Sequence, residues 1–159
     1  MSVRLGLDAK LYRNTATYDT PTWVEMTNVK DLTLNLESGE ADVTTRANNG
    51  WRATVATLKD GSIEFEMVWD TEDAGFTAIK SAWFGNTSIE FAIMDGVITE
   101  AGTQGLRATF SITKFSRNEP LEEAMTVSVT AKPTYAEHAP EWMTVAAEET
   151  TTPTPTPTA

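Results

Sequence analysis

At 159 residues the chain suits one domain around a single core, and with no Cys it has neither disulfides nor thiolate metal sites to brace it. Twelve basic residues against 23 acidic ones leave a formal charge of -11, which excludes ordinary nucleic-acid binding by displaced counterions. No apolar run reaches the ~20 residues of a membrane span, and MSVRLGLDAKLYRN is too broken by charge for a signal peptide, so the expectation is a soluble, unexported protein with no membrane contact.

In chain order, Leu5 to Tyr12 reads as a first strand, and the alternation of Leu32, Leu34 and Leu36 marks a second. A polar loop follows, carrying Asp42, Thr44, Thr45, Arg46, Asn48 and Asn49. Trp51 to Leu58 reads as a further strand, turned at Asp60-Gly61 into the clearest one, where Ile63, Phe65, Met67 and Trp69 face one way and Glu64 and Glu66 the other. From Asp73 to Phe84 the period changes: Phe76, Ile79 and Trp83 recur at helical spacing, with Asp70 or Thr71 as the cap and Gly85 as the stop. This predicts one amphipathic helix of ~18 Å at 1.5 Å per residue, its candidate packing residues being Trp69, Phe76, Ile79 and Trp83.

Alternation then resumes in Ile89, Phe91 and Ile93, with Asp95-Gly96 folding that strand back onto Val97 and Ile98. Leu106, Ala108, Phe110 and Ile112 form another strand, and Met125, Val127, Val129 and Ala131 the last. After Lys132 the composition shifts. Pro133 and Pro140 interrupt the pattern and TTTPTPTPTA favours extended polyproline II, so residues 1–135 read as the domain and 136–159 as an extended Thr/Pro-rich tail, with Tyr135 and Trp142 as apolar anchors. The fold class is mostly β, a sandwich or barrel with one flanking helix and that tail.

For catalysis the inventory is poor. The one His, His138, sits in the Pro-flanked segment with no nucleophile placed around it, and Glu64 and Glu66 on one strand face are more often solvated than a glycosidase pair. Asp70, Glu72, Asp73 and Gly75 resemble the start of a calcium loop, yet its twelfth position is Ser81 where a bidentate Glu is needed; those acids suit a helix N-terminus better. Asn86-Thr87-Ser88 matches a glycosylation acceptor by chance, and no phosphate-cradling Gly loop occurs. The expectation is no catalytic residue, no cofactor and no metal.

A polar loop such as GEADVTTRANNGWRA running into an alternating strand such as SIEFEMVWD resembles the bacteriophage major tail proteins, the subunits of tail tubes. The resemblance extends from Arg4 to Tyr135, through the Trp23 to Glu37 entry strand, the Asp42 to Trp51 loop, the Phe76 to Trp83 helix and the closing FSRNEPLEEAMTVSVTAKPT. It implies a β-sandwich with one helix that forms rings, commonly hexameric, stacked so that inner sheets line a channel for DNA. It also implies partners: the chain itself, a tape measure protein, and a tail terminator or baseplate protein, with DNA passing through unbound. The location implied is the virion tail, after assembly in the host cytoplasm. By the same resemblance Asp42, Thr44, Arg46 and Asn49 sit on a loop reaching the adjacent ring, whereas on its own Arg46 also fits a solvated loop charge. Acidic walls let phosphates slide without adhesion.

Two alternatives differ in kind. A tube protein of a secretion or injection apparatus shares the fold and differs in what passes through. A carbohydrate-binding β-sandwich needs exposed rings, yet Trp51, Trp69 and Trp83 read as inward, leaving Trp23 and Trp142 free of a core-facing pattern.

Overall fold

The computed structural model describes residues 3–146. Eight strands and one helix follow in order: β1 (Lys10–Asn14), β2 (Trp23–Glu25), β3 (Val29–Asp42), β4 (Thr54–Val68), α1 (Ala74–Gly85), β5 (Ser88–Met94), β6 (Gln104–Asn118), β7 (Thr126–Pro133) and β8 (Glu141–Thr144). The strands pair antiparallel in the order β2-β1-β5-β6-β7-β4-β3, and β8 joins β6. β6 is the spine. Its C-terminal half pairs with β7 and its N-terminal half with β8, while β5 runs along its other side.

The sheet curls over itself, so strands that are not neighbours meet across the core: the rings of Phe65 on β4 and Phe91 on β5 lie 6.3 Å apart, edge to face. Inward residues come from every second position, Ile63, Phe65 and Met67 on β4 and Val127, Val129 and Ala131 on β7, all buried. Helix α1 closes one end, with Phe76 set against Trp69 at 4.7 Å and Phe115 at 6.2 Å between ring centroids. Its cap is Asp73, whose carboxylate accepts from the Phe76 amide at 2.8 Å, rather than Asp70 or Thr71. Gly85 is the last helical residue; the left-handed C-cap is Asn86 at φ 52°.

Other sequence expectations change. Asp60-Gly61 is not a turn: β4 runs straight through it, because Gly61 pairs with Leu36 and Asp60 with Glu37 on an equally long β3. The Asp95-Gly96 turn does not bring back Val97 and Ile98. The loop continues to Thr103, and Asp95 pairs instead with Gln104, its carboxylate accepting from the Gln104 amide at 3.0 Å. Leu5 to Tyr12 is strand only from Lys10, a 3-10 turn occupying Gly6–Asp8. Trp83 lies outside the core at 40% exposure and stacks edge-on against Phe84, its place in the buried stripe taken by Ala82.

The segment after Pro133 is more than a tail. Tyr135 is fully exposed, but residues 141–144 add β8 to the sheet, Met143 pairing with Gly105 and Trp142 with Leu106. A stack on the outer face fastens it. The Arg107 guanidinium lies 3.7 Å from the centroid of the Tyr18 ring, whose other face carries the His138 ring at 3.6 Å, and the Tyr18 hydroxyl donates to Glu141 at 2.8 Å. Beneath it the buried Arg107 pairs with Glu90 and donates to the Tyr18 carbonyl at 2.6 Å. The TTTPTPTPTA end lies outside the described residues.

Candidate functional site

Two surfaces stand out once the core is accounted for. The first is an arm. Beyond Leu36 and Gly61, β3 and β4 leave the body and continue as a two-stranded ribbon, paired as far as Asp42 with Thr54 and exposed on both faces. Near its root two steps on β3, Ser38 to Glu40, are matched by three on β4, Lys59 to Ala56. That bulge adds twist and spoils the ribbon as a template for indiscriminate edge pairing.

The tip is held by its own side chains. The Asp42 carboxylate accepts from the Thr44 amide at 2.8 Å, and the Thr44 hydroxyl, together with this amide, holds the carboxyl below the usual range. Thr44 accepts from the Ala53 amide at 2.9 Å, closing the loop across its neck. Thr45 caps a short 3-10 turn over Arg46–Asn48, after which Asn49 and Gly50 both take positive φ, 53° and 81°, where Asn is tolerated and Gly unstrained. Of the loop residues singled out in the sequence, then, Asp42, Thr44 and Asn49 build the loop, and Arg46 stands exposed upon it. Pattern reading missed two others. Trp51 was expected inward but is 78% exposed, and with Arg46 and Arg52 it borders an open hollow at the tip.

The second surface is the outward side of β3-β4-β7-β6. Register places Asp31, Thr33 and Asn35 beside Ser62, Glu64 and Glu66, then Ser128, Thr130 and Lys132, then Lys114 and Ser116. Glu37 and Asp60, paired opposite one another, continue it towards the arm. The carboxylates outnumber the ammonium groups, although Lys30 reaches Glu66 at 4.0 Å. Glu64 and Glu66 therefore belong to a broad, shallow polar wall rather than to a cleft enclosing a substrate. Asp70 and Asp73 are likewise engaged locally, Asp70 accepting from the Glu72 amide at 3.0 Å. No cluster of His, Cys, Asp or Glu suited to a metal occurs among the described residues.

A polar sheet face above an apolar core, one helix, and a long self-braced hairpin make a body suited to repetition. Residues 8–134 match the family model for phage tail tube proteins. The chain belongs to the phage tail tube protein family. As a tail tube protein it is a structural component of the virion tail, and its architecture agrees with solved relatives of low sequence identity. A chain of the SPP1 tail tube aligns at TM-score 0.69 and 18% identity, covering 91% of this chain and 81% of that one. A chain from the tail of an empty gene transfer agent particle, described with C6 symmetry, aligns at 0.68 and 16%, covering 91% of this chain and 100% of the other. A chain of the anti-feeding prophage baseplate aligns at 0.54 and 10%, covering 86% and 91%. No curated protein sequence matches.

Proposed function

We propose that this tail tube protein assembles into six-membered rings that stack into the tube, with the polar face of β3-β4-β7-β6 lining the bore and the arm making contacts between rings. The observation that carries this reading is the wall itself. Four neighbouring strands give their apolar alternates to the core and present hydroxyls, amides and an excess of carboxylates on the other side. A bore that conducts DNA must stay wet without attracting phosphate, and such a wall satisfies both demands. The C6 symmetry of the gene transfer agent tail supports six as the ring number. Asp42, Thr44, Arg46 and Asn49 serve the inter-ring arm, the first two and Asn49 by shaping it. The subunit works without catalysis or cofactor. The tape measure protein occupies the bore during assembly in the host cytoplasm, while terminator and baseplate proteins meet the two ends.

The absence of Cys makes the test direct. Ser128→Cys places a single thiol on the proposed wall. After assembly and labelling with a maleimide-gold cluster, microscopy is expected to show density along the tube axis; gold on the outer surface would reverse the assignment of faces.

A further inference from the structure

An Asn or Asp followed by Gly can close a five-membered imide, because no side chain shields the glycine nitrogen from the carbonyl carbon of the preceding side chain. The chain has three such steps: Asn49-Gly50, Asp60-Gly61 and Asp95-Gly96. The fold disables two of them. Gly61 lies inside the β3-β4 ladder opposite Leu36, and the Asp95 carboxylate is engaged by the Gln104 amide. Asn49 and Gly50 are both exposed at the arm tip, a side chain on Gly50 would meet only open space, and neither the Asn49 carboxamide nor the Gly50 amide has a hydrogen-bond partner among the described residues. Neighbouring asparagines are held. Asn48 accepts from the Thr45 hydroxyl at 3.1 Å. Asn86 shares the left-handed backbone of Asn49, at φ 52° against 53°, but the nitrogen after it belongs to the β-branched Thr87 and donates to the Ala82 carbonyl at 3.0 Å.

We propose that Asn49 is a site of spontaneous covalent modification, at which the arm tip cyclises and reopens as isoaspartate without an enzyme. The Gly50 nitrogen gives its proton to hydroxide and bonds to Cγ of Asn49; the Cγ–Nδ2 bond breaks, and Nδ2 takes up a proton from water and leaves as ammonia. Water then adds to the imide and opens it at either carbonyl, giving isoaspartate, in which the chain runs through the former side chain, or aspartate. No oxidant, metal or cofactor is required. Arg46 and Arg52 border the same open hollow as Gly50, and their positive field favours the amide anion that attacks. The consequences are local. The charged residues of 42–54 are Asp42, Arg46 and Arg52, so the new carboxylate cancels the tip's net positive charge. Isoaspartate also lengthens the main chain by one carbon inside the turn that the Trp51 amide closes on the Asn48 carbonyl at 3.0 Å. The bond across the neck, from the Ala53 amide to Thr44, lies outside that turn, so the arm keeps its ladder. The inference concerns the chain itself and does not depend on how the arm is used in a tube.

Ageing the purified, folded chain at mildly alkaline pH tests this, with a synthetic peptide of residues 44–54 aged beside it. Peptide mass mapping, with fragmentation that separates isoaspartate from aspartate, is expected to find the exchange of NH for O at residue 49, mostly as isoaspartate, while Asn48 and Asn86 stay intact. Because an exposed tip opens at little cost, Asn49 in the folded chain is expected to convert within about tenfold of the peptide's rate. The Asn49→Gln variant, aged in the same way, should gain no acidic species from the tip on ion exchange. A folded chain whose Asn49 lags the peptide by more than that margin overturns the inference, as does conversion of Asn48 or Asn86 ahead of it.

Discussion

Arg107 shows how much a single side chain organises in this fold. It is 8% exposed, paired with Glu90, and placed against both the Tyr18 and Trp23 rings. Arg107→Ala leaves the Glu90 carboxylate partly buried without its cation, so a loss of about 3 kcal/mol or more is expected in denaturant unfolding. Release of β8, read as faster amide exchange at Met143, should accompany it, because Tyr18 and His138 lose the plate on which they stack. Asp42 governs a smaller region. Its carboxyl is held below its ordinary value of 3.8, so it stabilises the tip at pH above that value and loses the contribution as pH falls through it towards the lowered one. The amide of Thr44 is therefore expected to lose exchange protection in that acidic window, and Asp42→Asn should flatten the dependence.

At the level of elements, alternation over the core was legible from sequence because each buried position has a strict partner across the ladder. Ile63, Phe65 and Met67 could face only one way once Glu64 and Glu66 faced the other. The helix was legible for the same reason, its Phe76 and Ile79 recurring at the right period. Trp83 was misread because helical spacing does put it on the face of Phe76 and Ile79; it stands in the last turn of α1, 40% exposed against Phe84, and Ala82 is the buried residue of that turn. Phe76→Ala should accordingly cost about 3 to 5 kcal/mol through lost burial and a cavity, and Trp83→Ala distinctly less, a ranking that thermal midpoints of the two variants will check. The arm was the hardest element to read. Asp60-Gly61 has the chemistry of a tight turn, yet a long strand on either side outvotes it, and the body-to-arm transition has no local signal beyond a loss of alternation after Leu36. Trp51 has no core to enter at the end of such a ribbon. The feature that could have exposed the tip is charge segregation, since an acid-free stretch in an acidic chain is visible without coordinates. β8 escaped notice because four residues directly after Pro140 are too short for alternation to register.

For the whole molecule, the two sides of the sheet divide the labour: the inward alternates of β4 and β7 hold the core, and the outward side of β3-β4-β7-β6, the proposed bore wall, carries an excess of carboxylates. This division makes the wall separable from assembly. Glu64 and Glu66 lie mid-strand, flanked by Thr33, Thr130 and Ser128, and neither supports the core. E64K/E66K should therefore fold and form tubes of ordinary length, while placing two cations per subunit on the wall in place of two anions. Repeated around each ring, that reversal turns the bore into an anion-binding surface whose grip on phosphates weakens steeply with salt. Tubes of the variant are expected to retain duplex DNA at 50 mM salt and to release it as salt rises, where tubes of the unaltered protein retain none, as measured by co-sedimentation of labelled DNA. Particles built from the variant should eject their genome more slowly. If the variant's tubes stay indifferent to DNA at low salt, Glu64 and Glu66 face away from the bore and another sheet face must line it.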